Sequence, residues 1–363
     1  MAGNRDFRYP AAQHSPRPPA ASLPVGHRLS SGVRRLVVGR TRPADQGRAA
    51  VHHQRVAGLG FEIAWFAEHH FSNYCICPSP LLMAAHCAGV TKEIQLGPAV
   101  IVVPLYDPAR LLAEIGVVDS LSGGRLVLSV GSGYQPYEFD RFGKDLTDAQ
   151  GMLTKFLDML LLAFGQETFA YDGRYYQLPE THISARPVND IPNIWLAGDN
   201  PFGHRLCAQR GLTPMFTGRW LGAEYQRTMC ARVAEMFAAE GRDSETMPLG
   251  VQRFMCVTES PEKTLAYADN CRHQMRLTST LRRRAEVMDG GMMTEVPLPD
   301  EIPLEEMAQN LLIGDCEIIA EHLCGKIRAS RASHYMFHFQ VGGSSHRKAL
   351  VTMETFIPRS SRW

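Results

Sequence analysis

Beyond residue 50, apolar residues fall in short, nearly unbroken runs, separated by longer stretches in which apolar positions recur every three or four residues. The short runs predict strands over Glu62–Ala67, Gln95–Val103, Leu126–Gly131, Asn193–Ala197, Pro214–Thr217, Gly250–Val257 and Tyr335–Gln340. They are apolar throughout rather than alternating, the pattern of strands covered on both faces. Helix starts lie between them. Ser79-Pro80 precedes LLMAAHCAGV and Asp107-Pro108 precedes ARLLAEIGVVDSL, each an oxygen-bearing cap followed by proline at the first helical position. Strands alternating with helices predict an α/β chain, specifically a (β/α)8 TIM-type barrel, with one strand of eight still to be found. That strand has to precede the helix ending near Gly58-Leu59-Gly60, and only Arg34–Gly39, RRLVVG, is available. Its short apolar core predicts a weak first strand. Left unpaired, it would open a seam of bare backbone between the second and last strands.

Two segments interrupt the rhythm. Phe169–Leu178, FAYDGRYYQL, predicts a hairpin turning at Asp172-Gly173. The stretch from about Gln274 to Asn310 carries Gly290-Gly291, Met275, Met288, Met292, Met293 and Met307, and acidic, proline-rich text. A long insertion of this kind reads as a lid or as disorder. The start of the chain differs from everything after it. Its first 55 residues hold ten Arg, six Pro, no Lys and two acids, Asp6 and Asp45. Such text buries too little apolar surface to offset its ordering entropy, so residues 1–50 are read as a disordered Arg/Pro-rich segment and 51–358 as the barrel domain. An error in gene start or reading frame would produce the same text.

Composition narrows the function classes. With 363 residues, 45% hydrophobic, 21% charged and a formal net charge of +1, the chain has no global field favouring nucleic acid or anionic lipid. No apolar run approaches the ~20 residues of a membrane helix. Nine scattered cysteines, with Cys75-x-Cys77 and no CxxC, read as buried small hydrophobes in a reducing, cytoplasmic setting.

In a barrel of this type the chemistry sits at the carboxyl ends of the strands. Three polar or glycine-rich corners fall there: Glu68-His69-His70, Gly131-Ser132-Gly133-Tyr134 and Gly198-Asp199-Asn200. Their convergence predicts a ligand across the mouth. Asp199-Asn200-Pro201-Phe202-Gly203 opens a helix whose free N–H groups suit a phosphate, though taken alone the residues read first as a plain cap at Asp199 or Asn200. Gly131-Ser132-Gly133 lacks dinucleotide-loop spacing. His69 and His70 point to opposite faces of an extended chain and cannot share one ion, so no metal site is read here. Glu68 is placed to fix the tautomer of His69 or to meet a structural partner.

These residues resemble a known family. EHHFSNY, SPLLMAAHCAGVTKEIQLGPAVIVVPLYDPARLLAE, DSLSGGRLVLSVGSGYQPYEFDRFG and LAGDNPFGHRLCAQRGL are similar to the bacterial luciferase-like flavin monooxygenases. The likeness runs from about Gly58 to near the C-terminus. The resemblance implies a TIM-type barrel, often dimeric, that binds reduced FMN, or in one branch the deazaflavin F420, at the strand ends. It implies O2 as co-substrate, a flavin hydroperoxide, a small organic substrate and a separate flavin reductase. His69 takes the catalytic position. A non-proline cis peptide under the flavin falls at Ala99-Val100. Phosphate binding falls on Asp199, Asn200 and Gly203, with backbone near Tyr134. Gly131 and Ser132 stand where luciferase has its reactive cysteine and a phosphate-binding arginine, so light emission is not implied and the phosphate needs another cation, with Arg205 and Arg219 available. The alternatives are an F420-dependent hydride-transfer enzyme without O2 and a catalytically impaired flavin-binding paralogue.

Overall fold

The computed structural model describes residues 34–39, 58–75, 77–189, 191–218, 220–330 and 332–360, with backbone alone at 34–39, 329 and 357–360. Most of the Arg/Pro-rich segment, and Arg219, therefore lie outside the described residues.

The core of the fold is a parallel sheet. It contains β1 (Arg34–Gly39), β2 (Ile63–Phe66), β3 (Gln95–Pro98), β4 (Ile101–Val102) and β5 (Leu128–Gly131). An antiparallel hairpin, β6 (Phe169–Asp172) with β7 (Gln177–Thr181), stands apart from it, as the Asp172-Gly173 turn predicts. The sheet continues with β8 (Ile194–Ala197), β9 (Thr213–Thr217) and β10 (Gly250–Val257). Further along come β11 (Met288–Asp289), β12 (Met292–Met293), β13 (Leu312–Gly314) and β14 (His334–His338). Strand order is β3-β2-β1-β14-β10-β9-β8-β5-β4, with β13 added beside β10. The two ends of that order, β3 and β4, are consecutive pieces of one predicted strand, parted by a cis peptide at Ala99-Val100. Leu96 of β3 also bridges to the segment entering β5: its N–H donates to Arg125 O and its carbonyl accepts from Val127 N, both at 3.0 Å.

β1 fills the place left open by the sequence pattern. Val37 lies opposite Phe337 of β14 on one side and Ala64 of β2 on the other. A strand with so little apolar text holds because parallel ladders flank it on both edges. Both marked helix starts are realised: Ser79 caps Pro80–Val90, and the Asp107 carboxylate accepts from Arg110 N at 2.9 Å to cap Pro108–Ser122.

Helices pack outside the sheet around Leu111, Ile115, Phe156 and Leu160, all buried. The inside of the sheet is filled separately by Ile63, Trp65, Val127, Trp195, Met215 and Met336. Trp65 and Trp195 meet edge to face at 5.3 Å. Two glycines make room for them: a Cβ on Gly97 would lie 2.5 Å from the Trp65 ring, and one on Gly250 2.7 Å from Trp195. This indole layer closes the interior below the strand ends.

The stretch 274–310 corrects the reading of a structureless insertion. The helix Pro261–Arg283 runs into it, β11 and β12 pair as a hairpin, and Leu304–Asn310 is helical. Met275 and Met307 are buried against Phe254 and Tyr267. Arg276 clamps Glu301 with two bonds of 2.5 and 2.6 Å and also pairs with Glu295. Apolar anchors and a forked ion pair order a segment whose glycines and prolines read as irregular. No helix among the described residues is long and apolar enough to cross a membrane.

Candidate active site

The carboxyl ends of β2, β4, β5, β8 and β9 surround an open cleft of about 1130 Å³, counting the space that opens to solvent. It gathers His69, Ala99, Val100, Gly131, Ser132, Tyr134, Asp199 and Asn200, residues distant in sequence. Part of its lining is made of small groups: Ala67, Ala99, Val100, Gly131, Ala197 and Gly198. A Cβ on Gly131 would come within 2.8 Å of Val100 Cγ2, so glycine is what keeps that part of the lining open.

His69 is the imidazole at the wall. Its Nδ1 lies 2.9 Å from Oε1 of Glu138, and the same oxygen accepts from His70 N at 2.8 Å. Glu138 comes from the short helix Pro136–Arg141 and is itself buried. An ionised carboxylate only accepts, so Nδ1 carries the proton and Nε2 of the neutral ring is left as the base. The ring is held edge-on between Tyr74, 4.5 Å away, and Tyr134, 6.1 Å away.

The group fixing the His69 tautomer is therefore Glu138 and not Glu68. Glu68 and His70, two apart on an extended chain, share the other face, and Glu68 Oε1 lies 2.9 Å from His70 Nε2. Glu68 Oε2 accepts from Val102 N at 3.1 Å and Tyr106 OH at 2.9 Å, linking β2 to β4 and the turn after it. Burial raises the Glu68 carboxyl above its ordinary 4.5, against the lowering effect of these donors. Burial, then the neighbouring Glu68 charge, pushes the Tyr106 phenol far up.

Two substitutions separate the carboxylates. Glu138→Gln is expected to keep the melting temperature within a few degrees, since an amide oxygen can still accept from both donors. Turnover should fall about tenfold or more, because the imidazolium formed at His69 loses its counter-charge. Wild-type turnover in the variant would contradict the positioning role. Glu68→Gln tests linkage. A carboxyl whose folded pKa is raised adds stability below its unfolded pKa, and that stability is lost as pH rises through the folded value. The variant lacks this loss, so its melting temperature relative to wild type should climb as pH rises from about 4.5 and then level off. A difference that shrinks with rising pH would contradict it.

The corner after β8 behaves as a capped helix start. Asn200 Oδ1 accepts from Gly203 N at 2.9 Å, at the head of Pro201–Arg210. Gly203 is buried away from the cleft, where a Cβ would face Leu196 Cδ2 at 3.2 Å, and its N–H already has a partner. Asp199 and Asn200 do line the cleft, and the Asp199 carboxylate accepts from Tyr225 OH at 3.1 Å. His204 Nε2 donates to Gly198 O at 3.1 Å, and burial lowers the His204 pKa, so it brings little positive charge to the corner. Arg205 is exposed and off the cleft. Among described residues the cation lining it is Arg282, with its guanidinium carbon 4.9 Å from the centre of the Tyr134 ring.

Glu138, Tyr74 and Arg282 were not singled out in the sequence. Glu138 lies 69 positions from His69, and no local spacing joins them; Pro136, opening a helix just past a glycine corner, is the signal that was available.

A lining of small groups beside a buried carboxylate–imidazole pair, at the ends of parallel strands, places the match to known proteins. The model of the luciferase-like monooxygenases matches residues 28–334. The chain belongs to this family. A relative from Sinorhizobium fredii, uncharacterized protein y4vJ, is 38% identical over 297 residues, covering 81% of this chain and 85% of that one. The oxygenase component of a flavin-dependent trigonelline monooxygenase from Acinetobacter baylyi is 26% identical over 302 residues, 80% of this chain and 82% of its own. Among solved structures, the monooxygenase RslO1 from Streptomyces bottropensis superposes with a TM-score of 0.75 at 15% identity, over 90% of this chain and 98% of its own. An F420-dependent secondary alcohol dehydrogenase superposes at 0.71 and 15% identity, over 89% and 98%. At such identities the structural matches speak to fold alone.

Proposed function

We propose that this chain is a flavin-dependent monooxygenase that uses reduced FMN and O2 to oxygenate a small organic substrate. The observation that carries the reading is His69, oriented by buried Glu138, at the wall of a cleft lined in part by small residues that leave room for a flat ring. Ala67, Ala99, Ala197 and Gly198 offer apolar surface and backbone to a ring face, and Gly131 cannot carry a Cβ without meeting Val100. The residues present thus fit a planar tricycle. When bound, reduced flavin supplies the electrons and the oxygen chemistry.

The protein's own share is positional and protonic. His69 Nε2 takes up or returns a proton at the cleft wall, and Glu138 stabilises the imidazolium through Nδ1. Tyr74 and Tyr134 hold the ring plane and exclude water from its sides. The supporting architecture is an eight-stranded barrel, its seam bridged where Leu96 of β3 meets the segment entering β5. A separate flavin reductase as electron source, a homodimer and a cytoplasmic setting belong to the same proposal.

F420 is the second reading, favoured by the small groups of the lining, which leave room for any planar tricycle. Fluorescence titration decides between them. Saturable quenching of FMN with none of F420 is expected; the reverse would replace oxygenation by hydride transfer.

A further inference from the structure

Three arginines follow one another at the end of the helix Pro261–Arg283: Arg282, Arg283 and Arg284. Two of them find carboxylates. Arg283 Nη2 lies 3.7 Å from Asp300 Oδ1, and Arg284 grips both oxygens of Asp140, one of them at 3.0 Å. Arg282 pairs with no carboxylate of the described residues. Its guanidinium carbon instead stands 4.9 Å from the centre of the Tyr134 ring, on the wall of the cleft. A guanidinium over an aromatic face keeps its planar fork of N–H donors free to point outward.

The rest of the cleft makes this position matter. Its acidic lining comprises Glu138, Asp199 and Glu68, the last turned to His70 and Tyr106. An anion entering would meet Glu138 and Asp199, and Arg282 is the lysine or arginine among the described lining residues that could offset them. The corner after β8 does not replace it, since Gly203 N–H is occupied by Asn200 and Asp199 adds negative charge.

We propose that Arg282 is the oxyanion-recognition residue of the cleft, receiving a phosphate or carboxylate beside the Tyr134 ring. The inference rests on the flavin and substrate cleft proposed above. The anion has two sources, the cofactor's phosphate and a carboxylate on the substrate, and both need the same fork.

Matched ligand pairs test it. Wild type, Arg282→Gln and Arg282→Lys are titrated with FMN and riboflavin, and, with FMN present, with benzoate and benzamide. If the anion is the phosphate, Arg282→Gln raises the Kd for FMN about tenfold and leaves riboflavin unchanged. If it is a substrate carboxylate, the same selective loss appears for benzoate against benzamide. Arg282→Lys should recover part of either, because charge is kept and the fork is lost. Equal effects on the charged and neutral members of both pairs would overturn the proposal. Wild type that binds neither flavin would remove the flavin reading, while the benzoate pair, titrated without FMN, still decides Arg282.

Discussion

His69→Ala is expected to lower oxygen-coupled turnover by about 10²–10⁴-fold, the usual contribution of a positioned acid–base group. The effect should fall on turnover more than on flavin affinity. The small lining residues that would hold a ring are untouched, whereas the Nε2 base is deleted. Stability should change little: Glu138 loses one of its two donors but keeps the bond from His70 N. Steady-state oxygen uptake with reduced FMN, beside a thermal melt, checks both halves. Wild-type rates in the variant would remove His69 from the chemistry.

Removing β1 should have the largest effect on the fold. A chain beginning at residue 33 is expected to unfold cooperatively, near the wild-type melting temperature, because the text before it lacks core-forming pattern. A chain beginning at residue 40 loses the strand that pairs with β14 and β2 together. Two central parallel strands would then present bare edges, and edges of that kind associate. Loss of the cooperative transition, or aggregation, is expected for the shorter chain alone. Equal melting temperatures for the two would show that RRLVVG contributes nothing to the sheet.

These two cases also show what the sequence made legible. Strands covered on both faces write themselves as apolar runs, so β2, β5, β8, β9, β10 and β14 fall within two residues of their expected starts. The run Gln95–Val103 was read as one strand, and it divides at Ala99-Val100, where the chain changes partners from β2 to β5. β1 reads as weak because its text is short of apolar residues, while the ladders on both its edges join segments distant in sequence. The cleft was legible as a set of strand-end corners: eight of the nine expected site residues line it, and Gly203 does not. What stayed hidden was every relation across long separation. Glu138 reaches His69 over 69 positions, and Arg282 reaches Tyr134 from a stretch that read as irregular. Glu68 was the tempting partner for His69 by adjacency, yet the extended backbone turns it to His70 and Tyr106. The order in 274–310 depends on Arg276 meeting Glu301 and on two buried methionines, contacts that composition cannot announce.

The most direct measurement is the reoxidation of reduced FMN by O2 in a stopped-flow instrument, with and without saturating protein. Binding at this cleft should add a protein-dependent phase whose amplitude rises with protein until it saturates, and whose rate changes in His69→Ala. Traces identical to free reduced FMN at every protein concentration would contradict a flavin-dependent oxygenase built on this cleft.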